Sequence, residues 1–428
     1  MSTVIIFVLL LVLMLTGMPI SISLGLTVLS FLFFMTQVPI ESVALKLFTG
    51  IEKFEIMAIP FFILAGNFLT HGGVAKRMIR FATSMVGHWY GGLGLGGVLA
   101  CALFAAVSGS SPATVVAIGS ILMPAMVKAG FPKRFGAGVI TTSGALGILI
   151  PPSIVMVMYS VSTNTSVGAL FMAGVLPGIV LATMLGMTTW YRARSNNYPR
   201  QPKASWGERW TALRESIWGL LLIVIVMGGI YSGMFTPTEA AAMSAVWAFV
   251  CAVFIYKDLR LKDVPRVLLS SANMSAMLLY IITNAVLFSF LMTHENIPQA
   301  MADGMIGTGV GVIGFLLIAN VLLLAAGNFM EPSSIVLILA PILFPIATKL
   351  GIDPVHFGIL MVVNMEVGMC HPPVGLNLYV ASGITKMGIT ELTIATWPWL
   401  LTMLVFLVVV TYWPTLSLWL PRTLGMIS

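Results

Sequence analysis

The sequence predicts an all-α polytopic membrane protein built from two inverted-topology repeats, each with a re-entrant hairpin and a broken helix. Three observations predict it. Only 8% of the 428 residues are charged and 59% are hydrophobic, with a mean hydropathy of +1.04; a soluble domain carries roughly 25% charged residues. Two stretches, Ser108–Pro152 and Gly327–Pro373, interrupt apolar sequence with small polar residues and prolines in the same order. The basic residues gather in a few short loops, which fixes which ends share a side. Irregular backbone at membrane depth is tolerated only inside protein or beside a cavity, and matched interruptions in two halves point to a transport site.

Taken in order, Val4–Thr16 and Ile20–Met35 read as two helices joined by a tight turn at Gly17-Met18-Pro19. No Lys or Arg precedes the first run and no small-residue cleavage site follows it. It therefore reads as a membrane helix with its N-terminus outside, not as a signal peptide. Ile40–Glu55 mixes Glu41, Lys46, Glu52, Lys53 and Glu55 with apolar residues, too polar to span and suited to the interface. Met57–Leu69 crosses, and Lys76, Arg77 and Arg80 follow on the cytoplasmic side. Gly91–Val107 and Ala113–Val127 are short apolar segments parted by Ser108-Gly109-Ser110-Ser111-Pro112, with basic residues beyond both ends. Both ends then share a side, which makes a re-entrant hairpin at about 92–127. Residues 135–165 are long enough to cross but are split by Pro151-Pro152, and Ser166–Trp190 returns.

Residues 191–216, with Arg192, Arg194, Arg200, Lys203, Arg209 and Arg214, read as a cytoplasmic linker between a first repeat (1–190) and a second (217–428). The pattern then recurs. Ile217–Gly233 and Thr238–Tyr256 are joined through Thr236-Pro237, Lys257–Arg266 is a basic interfacial segment, and Met274–Met292 crosses. A second hairpin at about 309–350 is broken at Gly327–Pro332, and 357–386 is split by Pro372-Pro373. Thr390–Leu420 closes the chain. Phe135-Gly136 matches Phe357-Gly358, Pro132 matches Pro354, and Tyr159 matches Tyr379. Each half has five crossings, an odd number, so the second half is inverted and both termini are expected in the periplasm. The first hairpin then opens from the cytoplasm and the second from the periplasm, the plan of secondary transporters.

Proline lacks an N–H and leaves the carbonyl four residues back without its helix partner. Pro151 frees Gly147, Pro152 frees Ile148, Pro372 frees Gly368, and Pro373 frees Met369. A bare carbonyl in hydrocarbon costs several kcal/mol. A hard cation such as Na⁺ is one good partner, and a kink capped by a neighbouring helix or water is the plainer one. The tips add hydroxyls from Ser108, Ser110 and Ser111 and the amide of Asn328. Half-helix C-termini present negative partial charge there, and N-termini can hold an anionic group.

Glu331 and Glu366 lie near the tips, and a membrane-embedded carboxylate is a functional candidate, here for proton coupling. Neither has an acidic counterpart in the first half, where Ser111 stands opposite Glu331 and Ile150 opposite His371. His371 directly precedes the double proline and reads first as a carbonyl contributor. Cys101, Cys251 and Cys370 are scattered and read as buried thiols. No GxxxxGK[ST] or HExxH is present, and no Asp pair or Ser/His arrangement of an intramembrane protease, so neither ATP hydrolysis nor enzymatic chemistry is expected. The +7 net charge sits in loops flanking apolar runs and is no sign of nucleic-acid binding.

Ser108-Gly-Ser-Ser-Pro-Ala-Thr, Gly147-Ile-Leu-Ile-Pro-Pro-Ser, Glu331-Pro, His371-Pro-Pro-Val-Gly and Tyr90-Gly-Gly-Leu-Gly together resemble the large membrane (M) subunit of TRAP transporters, over essentially the whole chain. The resemblance implies an elevator-type ion-transporter fold in a bacterial inner membrane. It also implies Na⁺-driven uptake of an organic acid, with a small four-helix Q membrane subunit and a periplasmic substrate-binding protein as partners. The chain starts at the first M helix, so Q is expected as a separate chain. At least two Na⁺ sites are implied. One comprises Ser108, Gly109, Ser110 and Ser111 with Gly147, Ile150 and Pro152. The other comprises Gly327, Asn328 and Met330 with Gly368, His371 and Pro373. The substrate is expected between the tips, at Ser110, Ser111, Asn328, Glu331, Pro152 and Pro373. The chain looks most like the sialic-acid branch. C4-dicarboxylate uptake, or a proton-coupled exporter or antiporter acting alone, are the alternatives.

Overall fold

A computed structural model describes residues 2–36, 38–307, 309, 311–328, 330–372 and 375–427, with side chains for all of these except residues 2–4, 40, 302 and 305–307. Every regular element among the described residues is helical. The first half contributes α1 (Ser2–Leu15), α2 (Ile20–Met35), α3 (Ile40–Thr49), α4 (Ala58–His71) and α5 (Val74–Val86). Hairpin arms α6 (Gly92–Ser108) and α7 (Ser111–Lys128), the broken pair α8 (Lys133–Ser143) and α9 (Ile154–Thr163), and α10 (Val167–Ser195) follow. The second half gives α11 (Trp206–Ile223), α12 (Gly229–Tyr231), α13 (Pro237–Val250), α14 (Val264–His294) and α15 (Ile297–Gly307). Its hairpin arms are α16 (Val312–Gly327) and α17 (Pro332–Lys349), its broken pair α18 (Pro354–Met369) and α19 (Leu376–Thr385), and α20 (Ile389–Tyr412) and α21 (Thr415–Thr423) end it.

Local chemistry sets many of these boundaries. Ser205 with Glu208 and Thr236 with Glu239 form reciprocal capping boxes that start α11 and α13. The Asp353 side chain accepts from Val355 and His356 N–H and starts α18. Gly109 ends α6 at φ +62°, a left-handed turn that glycine adopts without strain. Two expectations change. The basic segment Lys257–Arg266 is divided: 257–263 precedes the helix and holds a 3₁₀ turn at Leu261–Asp263, and α14 takes up its last three residues, beginning at Val264 and running unbroken for 31 residues. The closing run is two helices, because Pro414 cannot continue α20.

Among the described residues, eight helical runs are long and apolar enough to cross a membrane. Two of them, Ser111–Lys128 and Pro332–Lys349, are the second arms of the hairpins, which length and composition alone cannot tell from full spans. The apolar core is continuous through both halves. Contacts between the halves come as exchanged pairs. α2 packs on α14 and α13 on α4; α7 packs on α19 and α17 on α9; α8 packs on α20 and α18 on α10. A pseudo-twofold relation between the repeats produces this reciprocity. It draws the hairpin of each half onto the broken helix of the other.

Candidate functional site

The first interruption is a backbone seat. The α8 helix tightens at Gly144 into a 3₁₀ turn through Ile148, and α9 resumes at Ile154. A Cβ placed on Gly147 would lie 2.6 Å from Ser110 O, and one on Gly109 2.8 Å from Pro152 O. The hairpin tip therefore touches the broken helix main chain to main chain, which only glycine permits. Ser111 Oγ donates to Gly144 O at 3.0 Å. Ser108 and Thr114 share a hydrogen bond of 2.9 Å, and Thr114 Oγ1 reaches Ser110 O at 2.9 Å. Ile150 N–H donates to Leu146 O, and its side chain lies against α10 at Gly178. Among the described residues no donor reaches Gly147 O or Ile148 O. These are the two carbonyls that the prolines free.

The second interruption repeats the seat and changes the side chains. A Cβ on Gly368 would lie 2.8 Å from Gly327 Cα. Asn328 Oδ1 sits 3.0 Å from His371 Nδ1, and Asn328 O accepts from Gly375 N–H at 3.4 Å. The carbonyl of Gly368, which Pro372 was expected to free, finds another donor. His371 N–H donates to Gly368 O at 3.2 Å, because the last turn of α18 tightens and recruits it. Met369 O is left without a donor among the described residues. Met330 donates its N–H to Ala326 O and is part-buried beside the tip. Pro373, expected in both the ion and substrate sets, lies outside the described residues.

The two acids part ways. Glu331 is the N-cap of α17: its carboxylate accepts from Ser333 Oγ at 2.7 Å and from Ser334 N–H at 3.2 Å. That capping role occupies the position where the first half has Ser111. Glu366 is fully buried in α18, and neither carboxyl oxygen has a hydrogen-bond partner among the described residues.

Asn377, on α19, escaped the sequence reading. Its Nδ2 donates to Ser111 Oγ at 2.7 Å, and Cys370 Sγ and Thr141 O complete its surroundings. It ties the second broken helix to the first hairpin tip and is itself fully buried. A lone amide in the first turn of an otherwise apolar helix was the available signal. A second buried chain runs from Asn364 to Asn320 at 2.8 Å and on to Thr411 at 2.9 Å, joining α18, α16 and α20.

These donors suit a hard monovalent cation. Among the described residues no group of three His, Cys, Asp or Glu side chains could hold a metal ion. The groups on offer are carbonyl and hydroxyl oxygens, the set that alkali cations take. Gly147 O and Ile148 O, buried and without donors among the described residues, are oxygen ligands of the kind Na⁺ accepts. The first turns of α7 and α17 add helix N-termini that favour an anionic group.

The family model described as "Tripartite ATP-independent periplasmic transporter, DctM component" matches residues 7–416. A relative from Rhodobacter capsulatus, described as a C4-dicarboxylate TRAP transporter large permease protein, is 77% identical over all of both chains. One of the same description from Pseudomonas aeruginosa is 54% identical over 90% of this chain and 91% of its own. A sialic acid TRAP transporter large permease protein from Vibrio cholerae is 36% identical over 96% of each. The crystal structure of the Alcanivorax borkumensis YdaH transporter shares the fold, with a TM-score of 0.61 and 16% identity over 88% of each chain.

Proposed function

This chain belongs to the DctM component family of tripartite ATP-independent periplasmic transporters, a multi-pass membrane permease rather than an enzyme, and we propose that it carries C4-dicarboxylates inward on a Na⁺ gradient. The 77% identity to a C4-dicarboxylate permease supports that substrate over the sialic acid that the motifs first suggested, whose relative stands at 36%. The subunit works in the inner membrane, its N- and C-termini in the periplasm. Its partners are a small four-helix membrane subunit and a periplasmic binding protein that delivers the acid.

One observation carries the ion reading: Gly147 O and Ile148 O lie bare beneath the serine tip. Na⁺ would be held there by Ser108–Ser111 with Gly147, Ile150 and Pro152. A second ion would be held by Gly327, Asn328, Met330, Gly368 and His371. The substrate carboxylates would meet Ser110, Ser111, Asn328 and Glu331 between the tips. Movement of the hairpin core against α1–α5 and α11–α14 would then expose the site to each side in turn.

The substrate is tested in proteoliposomes holding this chain and the small subunit, supplied with its cognate binding protein. Labelled succinate is expected to accumulate and N-acetylneuraminate to stay outside. Accumulation of N-acetylneuraminate without succinate would overturn the proposal.

A further inference from the structure

Two helices that carry basic residues, α5 and α11, enclose a second site, away from the interruptions. A cavity of 650 Å³ opens between α5, α11 and the segment after α13. Its charged lining is Lys76, Arg77, Arg80 and Arg214, with Glu215 and Asp258. Four cations against two carboxylates leave an excess of two positive charges. The positive-inside bias places this face in the cytoplasm.

Two ion pairs fix the walls. Arg77 meets Asp258 at 2.5 Å and Arg80 meets Glu215 at 2.5 Å. The Arg77 guanidinium also lies 3.9 Å over the Tyr256 ring. Tyr256 donates its hydroxyl proton to Glu215 O at 2.8 Å and accepts from Gly219 N–H at 3.2 Å. The carboxylates are thus engaged with Arg77 and Arg80. Lys76 and Arg214 are exposed, and neither has an acidic group within 4.0 Å among the described residues.

The surroundings fix the depth of the cavity. Trp218 lines it and is 40% exposed, and Ile217 beside it is 46% exposed. Trp206 and Trp210, on the first turns of α11, are exposed as well. Aromatic side chains of this kind gather at headgroup level. A basic cavity at that depth on the cytoplasmic side meets anionic lipid, whose tails can lie along the apolar flank of α11. A soluble anion would make no use of that flank.

We propose that this cavity binds the phosphate of an anionic phospholipid, with Lys76 and Arg214 as the groups that hold it. The headgroup would clamp α5 against α11. Since α5 joins α4 to the hairpin arm α6 and packs on α6, the clamp lies at the root of the first hairpin. This site does not depend on the ion or substrate assigned above.

The test uses the purified membrane complex in mild detergent, titrated with phosphatidylglycerol, with phosphatidylcholine of the same chains, and with inorganic phosphate. Bound lipid is counted by native mass spectrometry and thermal stability is followed in parallel. Phosphatidylglycerol is expected to bind and to raise the melting temperature, and the other two are not. The double variant Lys76→Gln/Arg214→Gln keeps both ion pairs and should bind phosphatidylglycerol about thirtyfold more weakly. Should it fail to purify, Lys76→Gln alone should weaken binding about fivefold. The control Lys128→Gln/Lys133→Gln removes the same charge from the same face outside the cavity and should change binding less than about twofold. Equal weakening in both double variants, no weakening in either, or a full effect from inorganic phosphate would each overturn the proposal.

Discussion

At the first interruption the hairpin rests on Gly147 and leaves two carbonyls bare, while at the second it rests on Gly368 in the same way but closes one of them. The first seat is completed by serine and threonine hydroxyls. The second is completed by the Asn328–His371 contact and by Glu331 turned onto its own helix. The two halves share the main-chain fit, and a Cβ at either glycine would collide with backbone. They do not share the side chains. If the proposed ions bind here, carbonyl geometry sets the first affinity, and side chains that substitution can tune set the second.

The sharpest way to break this comparison is to fill the seats. A Cβ at Gly147 would stand 2.6 Å from Ser110 O and one at Gly368 2.8 Å from Gly327 Cα. Overpacking of this kind costs about 1–3 kcal/mol, and here it pushes the tip off its ligands. Gly147→Ala and Gly368→Ala are each expected to lower uptake about 100-fold at the upper end of that range. Gly383→Ala, where a Cβ meets nothing within 4 Å, should leave it unchanged. Uptake assays normalised to membrane protein check all three.

A smaller effect is expected at the bridge between halves. Asn377→Ala leaves the buried Ser111 hydroxyl without its donor, at a cost of about 1–3 kcal/mol. Transport should fall about tenfold, together with a lowered melting temperature. His371→Ala should sharpen the contrast. It removes the partner of Asn328 while the first seat stays intact. The Na⁺ concentration for half-maximal uptake should rise several-fold, about 1 kcal/mol, with little change in stability. Isotope uptake over a Na⁺ series measures it.

The smallest effect lies at the rim. Lys53, beyond α3, donates to Val161 O at 2.6 Å and to Asn164 Oδ1 at 2.7 Å, tying the interfacial segment to the end of α9. Burial holds its ammonium below the usual lysine value, with nearby Glu55 partly opposing the shift. The folded form thus binds fewer protons than the unfolded form as pH rises towards 10.5, and stability gains over that window. Lys53→Met should lack this alkaline gain in melting temperature while keeping uptake within about threefold, because the two contacts it loses lie at the far end of α9 from the interruption.

Much of the fold was legible because its causes are local. Charge placement and the two double prolines located the hairpins, and α6–α7 and α16–α17 fall close to the segments predicted. The seats at Gly147 and Gly368 were marked by prolines four residues downstream. What was not legible depends on pairing over long distances. Asn377 meets Ser111 across 266 positions, and nothing near either residue announces the other. The recruitment of Gly368 O by His371 N–H follows from how far α18 runs before it breaks, which the proline rule does not specify. The tip motifs suggested sialic acid, whereas the relatives at 77% and 54% identity are C4-dicarboxylate permeases and the sialic acid relative stands at 36%; motifs shared across the family mark the family, not the acid.

The central claim is that carbonyls freed at the interruptions bind the driving ion. The most direct measurement is succinate uptake into proteoliposomes with external Na⁺ replaced by K⁺ at constant pH and membrane potential, for the wild type and Gly147→Ala. The account predicts that uptake in the wild type collapses in K⁺ and that the Gly147→Ala variant is nearly inactive in both. Uptake that proceeds equally well in K⁺, or full Na⁺-driven uptake by Gly147→Ala, would contradict it.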